Sequence, residues 1–460
     1  MKTPSDAGNS ATVAEAPLQA RATFTSSLGV LAATLGSAVG LGNIWKFPAL
    51  TGLNGGAAFV MLYLLCVILI GMPVMWAELT IGRNSRANTV AAFQKLAPKT
   101  PWYLIGVSGV VSAVLIMGFY TVVCGWIYAY IFRAATGALA VPPEQTVEVF
   151  NALYTSPIQP IVWQWIVLAV TSAIVMAGVT KGIEAATKRL MPLLFLLLLI
   201  CDIRALTLPG ASEGLSFLLK PDLSKITAPT VLAAMGLAFF KLSLGMGCMV
   251  TYGSYINKNE NLIKNTGKVV AADTTVSLLA GLAIFPAVFA FGYEPTSGPS
   301  LLFITIPAVF RSMPLGGLFC FLFFVLAAVA ATGAMISLIE VPVAYLTERF
   351  GWKRNLATLA TALSMALLGV GAALSSSLLS EFKIIGRTLF DTYDFVTSNV
   401  LLPVGGIFIA LFVGWKWRQA AIAENGGATA AINAFTVFLR FVAPIAITLV
   451  LLQGLGIIRF

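Results

Sequence analysis

Gly36-Ser37-Ala38-Val39-Gly40-Leu41-Gly42-Asn43 interrupts an apolar segment that begins near Phe24 and resumes at Ile44 and Trp45. An apolar run long enough to cross a bilayer is expected to be one continuous helix, because lipid offers no partner for a free N–H or C=O, yet three glycines here invite unwinding. Unwound backbone at mid-membrane usually lines a cavity and presents its polar groups to a solute. The plainer alternative is a glycine-rich helix face packing closely on a neighbour. A second stretch, Ser243-Leu244-Gly245-Met246-Gly247, interrupts the apolar segment from about Thr230 to Tyr255. Two glycine-broken spans in corresponding places of two halves favour a transporter built from inverted repeats around a central site.

The whole composition agrees with a membrane reading. The 460 residues are 58% hydrophobic and 10% charged, with a mean hydropathy of +0.92, whereas a soluble domain carries about a quarter charged residues. An all-α polytopic membrane protein is expected. The net charge of +10 belongs to loops facing the cytoplasm rather than to a nucleic-acid surface, and no nucleic-acid partner is expected. With no His in the chain, proton chemistry falls to Asp, Glu or Lys. Cys66, Cys124, Cys201, Cys248 and Cys320 lie inside apolar runs without metal-site spacing, so neither a metal centre nor a disulfide is expected. Residues 1–20 are rich in Ala, Ser, Thr and Pro and lack the pattern of a signal peptide, so they read as a cytoplasmic tail ahead of a transmembrane domain over 21–460.

Apolar runs of about 20 residues fall near 25–50, 55–80, 102–132, 161–180, 188–207, 230–255, 267–292, 315–346, 355–378, 388–415 and 435–458. That makes eleven expected spans. Lys and Arg concentrate in one set of loops, among them Arg83, Arg86, Lys181, Lys188, Arg189, Lys258, Lys264, Lys353, Lys416 and Arg418. This bias puts the N-terminus inside and, after an odd number of spans, the C-terminus outside. The loop over 293–314 carries Gly298-Pro299 and Ile306-Pro307 amid apolar residues and is expected to fold back into an outer vestibule.

Ionisable groups inside spans are functional hypotheses by default. Here they are Lys46, Glu78, Lys241, Asp273, Glu340 and Asp394. For Glu78 and Glu340 the structural reading, a carboxylate bonding the loose backbone of a broken helix, is favoured. Lys241 directly precedes the second glycine stretch, and Asp273 sits a few residues into the seventh span. Two opposite charges at mid-depth on adjacent spans are expected to pair, either as a purely structural pair or as part of the site.

Together these residues carry a family resemblance. Gly40-Leu41-Gly42, Asn43 to Pro48, Asn54-Gly55-Gly56, Pro73 to Gly82, Ser243 to Gly247, Thr251 to Tyr255, Gly298-Pro299 and Glu340-Val341-Pro342 resemble, in order, the motifs of the neurotransmitter:sodium symporters. The resemblance runs from about Arg21 to the end. It implies the LeuT-type fold of two inverted five-helix repeats, here about 24–207 and 229–415, with broken first and sixth spans and an extra helix near 435–458. It also implies an amino acid-like substrate whose carboxylate meets the backbone N–H groups of Leu41 and Gly42, beside Gly40, and the hydroxyl of Tyr120. Ala38, Ile116, Phe240, Ser243, Met246, Met335 and Leu338 would line the pocket. Lys46 with Asp394 would form an outer gate, Tyr120 with Phe240 an aromatic lid, and Arg21 with Glu348 an inner gate.

The departures from the family pattern bear on coupling. At the first sodium site Ala38 offers a carbonyl and Asn43 is retained, but Lys241 replaces the usual Thr and Asp273 the usual Asn. At the second, Gly36 and Val39 still offer carbonyls, while the usual Thr-Ser pair reads Gly333-Ala334, and Thr332 is about 100° around the helix. The expectation is therefore a transporter of neutral apolar or aromatic amino acids by alternating access, without sodium, with Lys241 in place of the first sodium and proton exchange through Lys241 and Asp273. The rivals are an ordinary sodium:amino acid symporter and a non-transporting amino acid sensor. An enzyme is not expected, since no nucleophile and base pair or metal constellation is visible. The expected partners are a small amino acid and the lipid bilayer; no oligomeric state is implied.

Overall fold

The computed structural model describes residues 21–292 and 301–458. The expected tail over 1–20 and the Gly298-Pro299 turn lie outside the described residues. Among the described residues regular structure is helical throughout, apart from one isolated bridge between Ile384 and Arg387.

Among the described residues eight helices are long and apolar enough to cross a bilayer: Ala57–Ser85, Tyr103–Ala135, Gln159–Met176, Leu262–Ala290, Gly316–Phe350, Arg354–Leu374, Leu389–Lys416 and Ala430–Gly454. Two bent pairs raise the number to ten. They are Ser27–Ala38 with Gly42–Leu53, bent by 53°, and Val179–Leu206 followed by Ala211–Leu219, which turns by 119°. The expected sixth span is Ala228–Lys241 followed by Cys248–Gly253, and neither piece qualifies alone. The count of eleven therefore rests on treating that interrupted segment as one span. The spans are numbered first to eleventh in chain order below.

Both interruptions fall where the glycines predict. The first half of span one opens on Ser26, whose hydroxyl accepts the Gly29 N–H, and ends as Val39 turns extended at φ −79°, ψ 117°. In the sixth span Ser243, Gly245 and Gly247 all have positive φ, at 55°, 76° and 78°. A Cβ on Gly245 would also sit 2.6 Å from the Leu402 carbonyl oxygen, so backbone sign and close approach both demand glycine there.

The third and eighth spans pack together at the centre. In the eighth, 78% of the apolar window is buried, against 33% in the eleventh, which marks one as interior and the other as facing lipid. The apolar character of the stretch from 301 is explained by packing: Leu301, Leu302 and Phe303 are buried, and the Tyr130 hydroxyl donates to the Phe303 carbonyl at 3.0 Å.

Candidate functional site

The two interrupted spans meet. The Ser243 hydroxyl donates to the Ser37 carbonyl at 2.7 Å, and the Ser37 hydroxyl donates in turn to Ser337 on the eighth span at 2.8 Å. Glu78, fully buried, accepts the Gly245 N–H at 2.7 Å, so this carboxylate holds loose backbone as the sequence suggested. Within the first break the Gly40 N–H donates to Asn43 Oδ1 at 3.1 Å and the Leu41 N–H to the Tyr120 hydroxyl at 3.0 Å. A Cβ on Gly40 would lie 3.0 Å from that hydroxyl and from the Ala334 methyl. Break, Tyr120 and the eighth span are thus closely fitted, with N–H groups at the place where an anion would be met.

Of the residues expected to line a pocket, Ala38, Ile116, Ser243, Met246, Met335 and Leu338 are buried, while Tyr120, Gly42 and Phe240 are partly exposed. Most of this expected set is apolar, and Met side chains adapt to irregular shapes.

Lys241 and Asp273 are brought together. Lys241 Nζ lies 2.9 Å from Asp273 Oδ2 with both side chains fully buried, and it also donates to the Ser277 hydroxyl. The Tyr63 and Phe47 rings stand 5.0 and 5.6 Å from the ammonium. Asn43 Nδ2 donates to Asp273 Oδ1 at 2.7 Å, to its carbonyl at 3.1 Å and to Ser277 Oγ at 3.1 Å. A buried pair needs further hydrogen bonds to its members, and Asn43 supplies one to Asp273 Oδ1 while Ser277 accepts from the ammonium. Asn43 links the pair to the break, since its Oδ1 holds the Gly40 N–H. Ser277 was not singled out from the sequence. Its signal is its spacing: four residues beyond Asp273, it shares that face of the seventh span.

At the second cation position the side chains are absent rather than exchanged. A Cβ on Gly333 would sit 2.6 Å from the Gly36 carbonyl oxygen, so the eighth span lies against the first with no room for a side chain between them. Thr332 points elsewhere, donating to the Ala328 carbonyl at 2.7 Å and bonding the Tyr128 hydroxyl at 3.1 Å. This donor set does not fit a bound cation.

The two expected gate pairs differ. Arg21 forms an ion pair with Glu348, and Arg21 Nε donates to Ser254 at 2.9 Å. Phe24 N–H bonds the Tyr255 carbonyl at 3.0 Å, and Asn257 donates to the Phe24 carbonyl at 3.2 Å. Glu184, unnoticed in the sequence, accepts the Thr25 N–H at 2.9 Å and its hydroxyl at 2.5 Å. The expected outer pair does not form. Lys46 Nζ stands 3.7 Å over the Phe240 ring, and Asp394 accepts the Ser398 hydroxyl at 2.7 Å. A half-buried ammonium gains from the nearer ring face, and a serine one turn away already serves the carboxylate. Glu340 also departs from expectation. It binds no loose backbone but pairs with Arg354 at 2.5 Å and accepts the Tyr255 hydroxyl at 2.5 Å, because a guanidinium is available at the start of the ninth span.

Comparisons with known proteins agree with this geometry. Residues 21–152 and 156–459 match the model of the sodium:neurotransmitter symporter family. A Bacillus subtilis (strain 168) chain named "Uncharacterized sodium-dependent transporter YhdH" is 40% identical over 443 residues, covering 95% of this chain and 98% of that one. A Haemophilus influenzae (strain ATCC 51907 / DSM 11121 / KW20 / Rd) "Uncharacterized sodium-dependent transporter" is 36% identical over 449 residues, with coverage of 95% and 98%. Among solved structures, MhsT in complex with L-phenylalanine is 45% identical with a TM-score of 0.88, covering 95% of this chain and 100% of that one. The fold is accordingly of the LeuT type, and this chain belongs to the sodium:neurotransmitter symporter family, a family of transporters and not of enzymes.

Proposed function

We propose that the protein carries amino acids across a bacterial inner membrane by alternating access, with the Lys241–Asp273 pair standing in place of the first sodium. The observation that carries this reading is the 2.9 Å contact of two fully buried side chains beside Asn43, which itself holds the first break. The substrate carboxylate would meet the N–H groups of Leu41 and Gly42 and the Tyr120 hydroxyl. Asn43 would transmit the state of the pair to that point. Proton exchange between Lys241 and Asp273 is the coupling such a pair offers. The apolar lining favours neutral apolar or aromatic amino acids, and the L-phenylalanine bound by MhsT supports that class. The N-terminus would lie inside and the C-terminus outside.

A second reading, sodium symport, is favoured by the names of the two bacterial relatives. It requires Thr332 to leave Tyr128 and the Ala328 carbonyl. Uptake of L-phenylalanine into proteoliposomes, with sodium and proton gradients imposed separately, distinguishes the two. The first reading expects uptake without sodium; accumulation driven by a sodium gradient alone would overturn it.

A further inference from the structure

Where the tenth span ends and the eleventh begins, on the side of the bundle where residue 21 lies, there is a cleft of about 470 Å³. Lys416, Arg418 and Arg440 stand in its wall with Trp415 and Trp417, and no carboxylate does. Four cations on this side have acidic partners, Arg21 with Glu348, Arg83 with Glu424, Lys188 with Glu184 and Arg354 with Glu340, while others, Lys258 and Lys264 among them, have none among the described residues. The three in the cleft form no ion pair among the described residues. Nε of Arg418 and Nε of Arg440 are moreover buried without a hydrogen-bond partner. Buried donors without acceptors are uncommon and need an explanation.

The cleft is also built to hold one guanidinium in place. Arg440 lies 4.2 Å over the Trp415 ring and 5.2 Å over Phe441, and Trp415 Nε1 donates to the Arg440 carbonyl at 3.2 Å. Gly414 permits this approach, because a Cβ there would stand 3.0 Å from the Arg440 backbone nitrogen and the Leu439 carbonyl oxygen. Stacking uses the flat face of the guanidinium and leaves its edge donors free, which is the geometry that grips phosphate oxygens. Beside it the surface is apolar: Trp415 is 53% exposed, and Phe441 and Ile445, one turn apart, are 48% and 63% exposed.

We propose that this cleft binds the phosphate of an anionic membrane lipid, with the acyl chains lying along Phe441 and Ile445. Charge explains the selection of a phosphate, and the apolar flank explains why a lipid rather than a free anion supplies it. Basic pockets between spans at a membrane surface are suited to such headgroups.

Native mass spectrometry of the purified full chain tests this, with phosphatidylglycerol, phosphatidylcholine or inorganic phosphate added separately. Wild type should retain phosphatidylglycerol over phosphatidylcholine, and Arg418→Gln with Arg440→Gln should weaken retention by about tenfold or more. Lys258→Gln with Lys264→Gln, an equal charge change elsewhere on the same side, should not. Arg440→Lys, which keeps the charge and loses the fork, should retain an intermediate amount, and unchanged thermal midpoints show that the variants are folded. Equal retention of both lipids, equal loss in the Lys258/Lys264 variant, or displacement of the lipid by millimolar inorganic phosphate would overturn the proposal.

Discussion

At the first cation position Lys241 brings a covalent cation and Asp273 its counter-charge, 2.9 Å apart; at the second, Gly333 brings nothing and lets the Gly36 carbonyl approach. The first holds a fixed charge beside its counter-charge. The second lets two backbones close on each other. The two positions are therefore expected to respond oppositely to mutation: the charged one fails when one partner is lost, whereas the packed one fails when a side chain is inserted.

The largest effect should come from Lys241→Met. It leaves Asp273 buried alone, and breaking a buried pair from one side costs about 3–5 kcal/mol, so the thermal midpoint in detergent should fall and amino acid binding should be lost. Lys241→Thr with Asp273→Asn removes both charges and should fold better than the single variant. A double variant less stable than Lys241→Met would break the comparison, as would full substrate affinity in Lys241→Met.

Next comes Ser277→Ala, which withdraws the hydroxyl that meets both Lys241 and Asn43. Hydrogen bonds to charged groups contribute about 1.5–3 kcal/mol, and a loss in that range is expected in a denaturation series. No change at all would mean that the pair needs no third partner.

At the packed position the sign reverses. Gly333→Ala inserts a methyl against the Gly36 carbonyl, and overpacking costs about 1–3 kcal/mol, so this conservative change should destabilise the protein. A more stable Ala variant would show that room for a side chain exists between the first and eighth spans.

The smallest effect should be that of sodium itself. Isothermal titration of amino acid in sodium against potassium or choline should differ by less than tenfold, or about 1.4 kcal/mol. A larger gain in sodium would show that an ion still binds and would break the comparison.

Much of the fold was legible because glycine inside an apolar run is a strong local signal. The Gly36–Gly42 and Ser243–Gly247 stretches marked both interruptions. Lys241 and Asp273 were legible for a related reason, since a charge at mid-span must find an opposite one. Ser37, Ser277 and Ser337 were not, because a serine inside a helix breaks no pattern and its bond is made to another span. Glu340 misled, as the sequence shows the buried carboxylate but not that Arg354, fourteen residues on, turns back to it. Lys46 and Asp394 were expected to meet across the cavity, and a ring and a serine nearer to hand took their place.

The ties on the first residues of span one have a consequence for how often the empty protein opens. Arg21 to Glu348, Arg21 to Ser254, Phe24 to Tyr255, Asn257 to Phe24 and Thr25 to Glu184 must part together if that half-helix is to swing away. Each contributes about 1 kcal/mol net, so together they favour the closed form of this end. An unladen carrier is thus a poor leak. A solute can raise the open population only as far as it binds the opened form more tightly than the closed one, so the strength of these ties sets how large that preference has to be.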